Sequence, residues 1–399
     1  MAVRHGYGKV AGADALVFAY DTGDTRNSYK GEPTTNLVTD TPSGNGWAGA
    51  FTVVDSATKT YTIESKQNNA ATTSAWRTHY WNVSAYSGSS VTISADVEFV
   101  SETDCTFRDL HIGQGNTGSY PYHIAGSDTA DKVKLDTKPT TKVHMTWSGV
   151  INSTGIVGFT QWINNVTANG ANSVLQISNV QIEAKAHETP FINGTRSATQ
   201  GLLDLTGNNT LNVTNASFDS SAQVTFDGTS DYITIPHNTV MRNTTSLTVE
   251  TVFQVYSQFG YYGGIIGKGS SDSDEEYFLG IYPSGNKIYF DVGQGSGPYV
   301  NATQTVNSNQ YYHVVAMHER SGGTSTCSIY VNGEFVSNTT SGNTNSVNTN
   351  TTDITIGARW SNGSYSLNGD IPLVKMYNRA LTAAEIKNNY NNYKSRFNL

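Results

Sequence analysis

Residues 13–29 read "ADALVFAYDTGDTRNSY". Leu16, Phe18 and Tyr20 alternate with Ala15, Val17 and Ala19, which is the period of a β-strand. Asp21, Gly23 and Asp24 end the run, and "GEPTTNLVTDTPSGNGW" (31–47) reads as linker. A solitary alternating strand presents an unpaired edge, which invites aggregation, so a partner elsewhere in the chain is physically required.

The 399 residues allow two or three domains. Only 14% are charged, aromatic residues reach 11%, and Gly, Asn, Ser and Thr abound. That is the balance of a folded all-β protein with many turns, not of a disordered chain. A formal net charge of −8 leaves no basic footprint for nucleic acid or an anionic membrane. Cys105 and Cys327 stand far apart, with neither a disulfide framework nor zinc spacing. No segment is long and apolar enough to span a bilayer, so no membrane insertion is expected. The start, "MAVRHGYGKVAG", has no apolar h-region, and Sec export is not expected. The Asn-x-Ser/Thr triplets, as at Asn82 and Asn212, are then read as a by-product of composition.

Residues 50–190 give one run of strands. In "SVTISADVEFV" (90–100), Val91, Ile93, Ala95, Val97 and Phe99 share a face; "KVHMTWSGV" and "VLQISNVQIEAK" behave alike. Residues 199–380 give a second run, with "YVNGEF" its sharpest local signal: Asn332–Gly333 supplies the two positive-φ positions of a type I′ hairpin. "YYHVVAM" is apolar on both faces, as in a strand covered on both sides. One helix is expected over 382–397. Thr382 and Glu385 form its capping box, Leu381 can staple onto Ile386, and Ile386, Tyr390, Tyr393 and Phe397 form an apolar stripe.

From residue 199 the chain resembles the laminin G-like, concanavalin A-like jelly rolls, through "VTFDGTSDYITIP", "LTVETVFQV", "YYHVVAMHE", "IYVNGEFV", "ITIGARW" and "LNGDIPLVKMYNRALTAAEI" in that order. The resemblance implies that "ALVFAYD" is the first strand of this jelly roll, paired with the final one, "DIPLVKMY", and that a middle domain interrupts the fold. The expected class is all-β: two β-sandwich (jelly-roll) domains, the C-terminal one concanavalin A-like with a C-terminal α-helix. Residues 1–13 form an anchoring arm, 14–35 the first strand and loop, 36–198 the insertion, and 199–399 the remaining jelly roll.

The insertion resembles a carbohydrate-binding-module jelly roll through "WRTHYWNVSAYSGSSVTISADVEF". Its flanks, "SYKGEPTTNL" and "TPFINGTRS", resemble phrases of tailed-phage virion proteins. The resemblance implies a non-enzymatic structural protein on the phage particle surface. It would be a fibre or receptor-binding appendage, held to other virion proteins by its arm, homo-oligomeric (a trimer as a fibre), and adhering to host-surface glycans. A capsid or tail decoration protein is the alternative, and a glycan hydrolase a third reading.

Sugar binding calls for aromatic platforms beside polar groups, because a ring offers a rigid apolar face to the apolar face of a sugar. The candidates are Tyr261, Tyr262, Trp360 and Tyr365 in the second run, and Trp76, Tyr80 and Trp81 in the first, with Tyr120, Tyr122 and Trp162 beside them. Calcium is the one candidate cofactor, with Asp227, Asp231 and Asp370 as ligands; turn building is the competing role of these residues. A retaining hydrolase needs two carboxylates about 5–5.5 Å apart. In "SSDSDEEYF", Asp272, Asp274 and Glu276 would share a strand face, against the reading of a solvated acidic loop. Glu250 and His313 are read as structural, the latter as a satisfied core histidine.

Overall fold

The computed structural model describes residues 12–69, 73–117, 124, 131–218, 224–242, 245–257, 261–293, 299–342 and 347–399, without the side chains of 301–303. Tyr120, Tyr122 and most of the expected arm lie outside the described residues. The chain divides into two units, one discontinuous (Met1–Pro33 with Ser197–Leu399), the other Thr34–Arg196.

The discontinuous unit is built from two antiparallel sheets, of eight and seven strands. Strands alternate side chains between faces, so each sheet feeds one face into a shared core. Phe18, Phe253 and Tyr312 come from the first sheet; Ile233, Leu279 and Phe290 come from the second; all are fully buried. The strand Leu16–Asp21 pairs antiparallel with Asn368–Tyr377, placing Phe18 opposite Met376 and Tyr20 opposite Val374. Tyr20 donates its hydroxyl hydrogen to the Ile371 carbonyl at 2.7 Å, which satisfies a buried phenol. The outer edge of this strand is covered. Ala19 N–H donates to Asp204 Oδ1 (3.0 Å), and its carbonyl accepts from Leu205 N–H (2.8 Å). A strand edge closed in this way cannot template a second chain.

The hairpin at Asn332–Gly333 has φ of 51° and 77°, and joins strands Thr324–Val331 and Glu334–Ser341. The helix runs Ala383–Phe397 with both halves of the Thr382–Glu385 capping box in place. Ile386 packs with Leu381, Val315 and Tyr377, while Tyr393 and Phe397 pack with Val252 and Leu373. These partners sit on the face of the eight-stranded sheet that points away from the core, so strand Tyr311–Ser321 is covered on both sides.

The Thr34–Arg196 unit holds two five-stranded antiparallel sheets around a core that includes Ile93, Val97, Phe159, Leu175 and Ile177. Its two ends pair with each other, Thr34–Thr35 against Thr195–Arg196, so the chain enters and leaves at one place.

Candidate ligand-binding face

The outward face of the seven-stranded sheet carries the site. In strand Tyr277–Tyr282, Tyr277, Leu279 and Ile281 fill the core, so Phe278, Gly280 and Tyr282 point out. In Lys287–Asp291, Ile288 and Phe290 point in, and Lys287, Tyr289 and Asp291 point out. Strand Gly263–Lys268 shows how the loop carrying Arg359 reaches this face. A Cβ on Gly267 would stand 1.9 Å from the Arg359 carbonyl oxygen, so only glycine lets the loop lie flat on the strand.

Arg359 is buried at the centre. Its Nε donates to Glu275 Oε2 (2.7 Å) and one terminal nitrogen to Glu275 Oε1 (3.1 Å), a two-pronged pairing. The same nitrogen lies 2.8 Å from Asp272 Oδ1. The guanidinium carbon stands 4.8 Å from the ring centres of both Tyr262 and Phe278, and 5.3 Å from that of Trp360. Such cation–ring contacts add about 0.5–2 kcal/mol each. Tyr262 lies 5.4 Å from Tyr282, 5.6 Å from Tyr289 and 6.0 Å from Tyr365. Trp360 meets Tyr365 edge-on at 5.0 Å, Tyr261 tilts against Tyr365 at 6.3 Å, and Tyr299 stacks on Tyr289 at 5.8 Å. Buried and half-buried rings thus form a fixed floor, with Tyr261 and Tyr299 exposed at its ends.

Tyr289 donates to Asp291 Oδ2 at 2.9 Å. Burial raises the Asp291 pKa, opposed by this hydrogen bond and by the Arg359 charge. Burial likewise raises the Glu275 pKa against the pull of the Arg359 fork. The fork and Asp272 together raise the Arg359 pKa against burial. Three carboxylates therefore surround one guanidinium whose charge is already matched.

The structure brings Tyr261, Tyr262, Trp360 and Tyr365 into one cluster. It adds Phe278, Tyr282, Tyr289, Tyr299, Arg359, Glu275 and Asp291, which sequence reasoning left unassigned. The available signal was parity: Phe278 and Tyr282, then Tyr289 and Asp291, occupy the alternate positions that do not feed the core.

The other candidates fall differently. Trp76 and Tyr80 are half-buried on the outward face of strand Ser74–Asn82, and Trp76 lies 6.0 Å from Trp162 of the neighbouring strand. Trp81 has the opposite parity and belongs to the core. It is 4% exposed, packs edge-on against Phe159, and donates its indole hydrogen to the Thr39 carbonyl at 2.8 Å, so it offers no platform. Asp227 builds a turn: its carboxylate accepts from the N–H groups of Thr229, Ser230 and Asp231. Asp231 accepts from Ser217 at 2.7 Å. Asp370 is buried and accepts from Gln254, Tyr256 and Tyr311. Among the described residues no three His, Cys, Asp or Glu side chains gather as a metal-binding group.

The acidic run does not form the strand face that the hydrolase reading requires. Residues 272–274 are a turn, with the strand starting at Tyr277. Asp272 reaches Arg359, and Asp274 accepts from the N–H groups of Ser270 and Ser271. Glu276 is fully buried 4.0 Å from Lys268. Asp-rich turns satisfy their own backbone more readily than they extend.

Residues 227–387 match the family model of the concanavalin A-like lectin/glucanases superfamily, described as Laminin_G_3. Residues 227–387 form a concanavalin A-like domain. No curated protein matches the chain. Among solved structures, Trypanosoma rangeli sialidase with 2,3-difluorosialic acid is similar at 19% identity, TM-score 0.36, over 47% of this chain and 30% of that one. The binding domain of Paraclostridial Mosquitocidal Protein 1 is similar at 16% identity, TM-score 0.39, over 48% of this chain and 49% of that one. The CBM40 domain of Ruminococcus gnavus IT-sialidase, bound to α2,3-sialyllactose, is similar at 14% identity, TM-score 0.31, over 38% and 84%. The alignments thus span under half of the first two proteins. Likenesses at these scores carry no weight for the ligand of the jelly roll, which must be argued from its own residues.

Proposed function

We propose that the jelly roll binds a glycan on the outward face of its seven-stranded sheet, without cleaving it. The observation that carries this reading is the continuous aromatic floor around Arg359, half-exposed and held rigid by ring contacts and by the Glu275 fork. Pre-set rings lose little freedom when a sugar stacks on them. Arg359 has its charge matched by Glu275 and Asp272, so the face is suited to neutral sugars and not to carboxylated ones. Binding without hydrolysis is supported by the dispersal of Asp272, Asp274 and Glu276.

The larger role we infer is that of a structural protein on the surface of a tailed-phage particle: a fibre or receptor-binding appendage. The arm would join it to other virion proteins, and repetition in a trimer would turn weak sugar contacts into avid adhesion. The support is the resemblance of "SYKGEPTTNL" and "TPFINGTRS" to phage phrases, together with an aromatic face free for a ligand.

A glycan array with the full chain tests the binding reading. Neutral glycans should bind, and Tyr365→Ala should weaken binding about tenfold, the weight of a stacking contact. Binding only of sialylated or uronic glycans, or no loss in Tyr365→Ala, would overturn it. Labelled protein imaged on intact particles separates appendage from decoration protein, and released reducing ends would revive the hydrolase.

A further inference from the structure

In the Thr34–Arg196 unit, one sheet holds the strands Val143–Val150, Ser90–Thr103 and Ala171–Glu183 side by side. Val91, Ile93, Ala95 and Val97 of the middle strand fill the core, so Thr92, Ser94 and Asp96 point away from it. Thr92 and Ser94 are nevertheless buried. The segment after the third strand lies over this face, where the Thr92 hydroxyl donates to the Lys185 carbonyl at 3.0 Å. Both ends of residues 184–188 are tied to Glu183. One end continues its strand, and at the other the Glu183 carboxylate accepts from the N–H (2.9 Å) and hydroxyl (2.7 Å) of Thr189. Residues 184–188 thus form a short flap on fixed ends.

His144 fastens this flap to the sheet. It stands opposite Asp96 in the register, with Nδ1 2.8 Å from Asp96 Oδ1. Its Nε2 lies 2.9 Å from Glu188 Oε2, in the flap. Asp96 is fixed through its other oxygen, which accepts from Asn179 Nδ2 at 3.0 Å. Ionised carboxylates only accept, so a ring that satisfies both carries hydrogen on both nitrogens and is an imidazolium. Burial lowers the His144 pKa, but the hydrogen bonds and charges of Glu188 and Asp96 outweigh it and raise the value. The other charged groups nearby are Lys142 and Glu98, on the same strand faces as His144 and Asp96, and Lys185 and His187 in the flap. Glu183 lies buried at the hinge, with Thr34 as a further donor.

We propose that residues 184–188 are a pH-sensitive flap, latched to the sheet by the His144 imidazolium and unlatched when the ring loses a proton. A neutral ring keeps one hydrogen, so one of the two carboxylates then meets a bare nitrogen lone pair. Asp96 is held by its strand and by Asn179, whereas Glu188 lies outside regular structure, so the contact that breaks is the one to Glu188. Thr189 stays on Glu183 and acts as the hinge. The His144 side chain is 50% exposed, so solvent takes its proton while the flap is still closed. A raised histidine contributes stability that is fully present below its unfolded value of about 6.5 and is lost as pH rises through the folded value. The flap is therefore closed on the acid side of that window and open on the alkaline side.

The test uses the full chain in two measurements. In the first, ¹⁵N-labelled histidine is titrated by NMR. The His144 midpoint should fall in Glu188→Gln, which keeps an acceptor but no charge, and fall further in Glu188→Ala. In the second, trypsin cleavage after Lys185 is compared between Glu188→Ala and the unaltered chain at each pH, so that the protease's own pH dependence cancels. Below the His144 midpoint the variant should be cut about threefold faster, the weight of one exposed ion pair. Above the midpoint the two rates should converge, because the latch is already open in both. Should Glu188→Ala not fold, Glu188→Gln should show the same convergence from a smaller ratio. A His144 midpoint unmoved by either substitution, equal cleavage at every pH, or a ratio that does not change with pH would each overturn the proposal.

Discussion

The two outward faces of the concanavalin A-like unit have opposite fates. On the eight-stranded sheet, Glu250, His313, Lys375 and Tyr377 gather beneath the helix. Glu250 accepts from Tyr377 (2.6 Å) and Asn389 (3.0 Å), and His313 Nε2 lies 3.0 Å away. Lys375 Nζ stands 3.9 Å from Glu250 and 4.7 Å from the Tyr393 ring centre. On the seven-stranded sheet, charges are equally close-set around Arg359, but among the described residues no helix covers them, and aromatic rings reach solvent. A buried charge must be matched by its own protein, whereas an open aromatic face can be matched by a ligand. The first face is therefore an internal joint, and the second is where recognition belongs.

This contrast can be broken by experiment. Glu250→Ala should have the largest effect, about 3–5 kcal/mol in chemical denaturation, because Lys375 and His313 would stay buried without their carboxylate. A loss under about 1 kcal/mol would mean that the helix is not held by this cluster. Acid should act on the same joint. Lys375 and the hydrogen bonds from His313 and Tyr377 overcome burial and hold Glu250 at about 2. A depressed carboxylate contributes stability that is fully present above its unfolded value of about 4.3 and is lost as pH falls toward 2. Melting temperature followed through that window should fall, and Glu250→Gln should flatten the fall.

Phe18→Ala should cost about 3 kcal/mol or more, since a fully buried ring is removed from the strand that closes the sheet. If the loss is small, the strand is dispensable to the unit. Glu385→Ala removes half of the capping box and should cost about 1 kcal/mol. The smallest effect is expected at the open face. Tyr261→Ala should change stability by no more than about 0.5 kcal/mol while weakening neutral-glycan binding, because the ring is exposed and packs mainly on Tyr365.

Local chemistry in the chain was legible where one short segment decides the outcome. Asn332–Gly333 dictates its own turn, and Thr382 with Glu385 dictates its own cap. The core side of strand 90–100 follows from parity alone. The Arg359 site was only half legible. Tyr261, Tyr262, Trp360 and Tyr365 sit on loops and stood out, but Glu275, Tyr282, Tyr289 and Asp291 join them only through sheet registers that no local pattern encodes. Trp81 misled because an aromatic pair, Tyr80–Trp81, necessarily points to both faces of a strand. Of the two readings of the acidic run, the loop holds for Asp272 and Asp274, because its serines and aspartates satisfy one another in a turn before a strand can begin.

The closure of the first strand also sets the order in which the molecule can be assembled. Tyr20 and the Ile371 carbonyl that it meets are 351 residues apart. At about 5–20 residues per second, synthesis separates them by roughly 20–70 s. The inserted unit lengthens that wait but makes closure less costly. With its ends paired, a folded module replaces a long floppy loop, and the entropy of bringing distant segments together falls accordingly. Asp204 and Leu205 emerge just behind it, ready to take the N–H and carbonyl of Ala19 well before the final strand exists. The segment at 202–205 can thus act as an early clasp that the finished fold retains. Chains stalled soon after residue 218 should already protect Leu16–Asp21 from protease, and they should lose that protection when Asp204 is replaced by alanine.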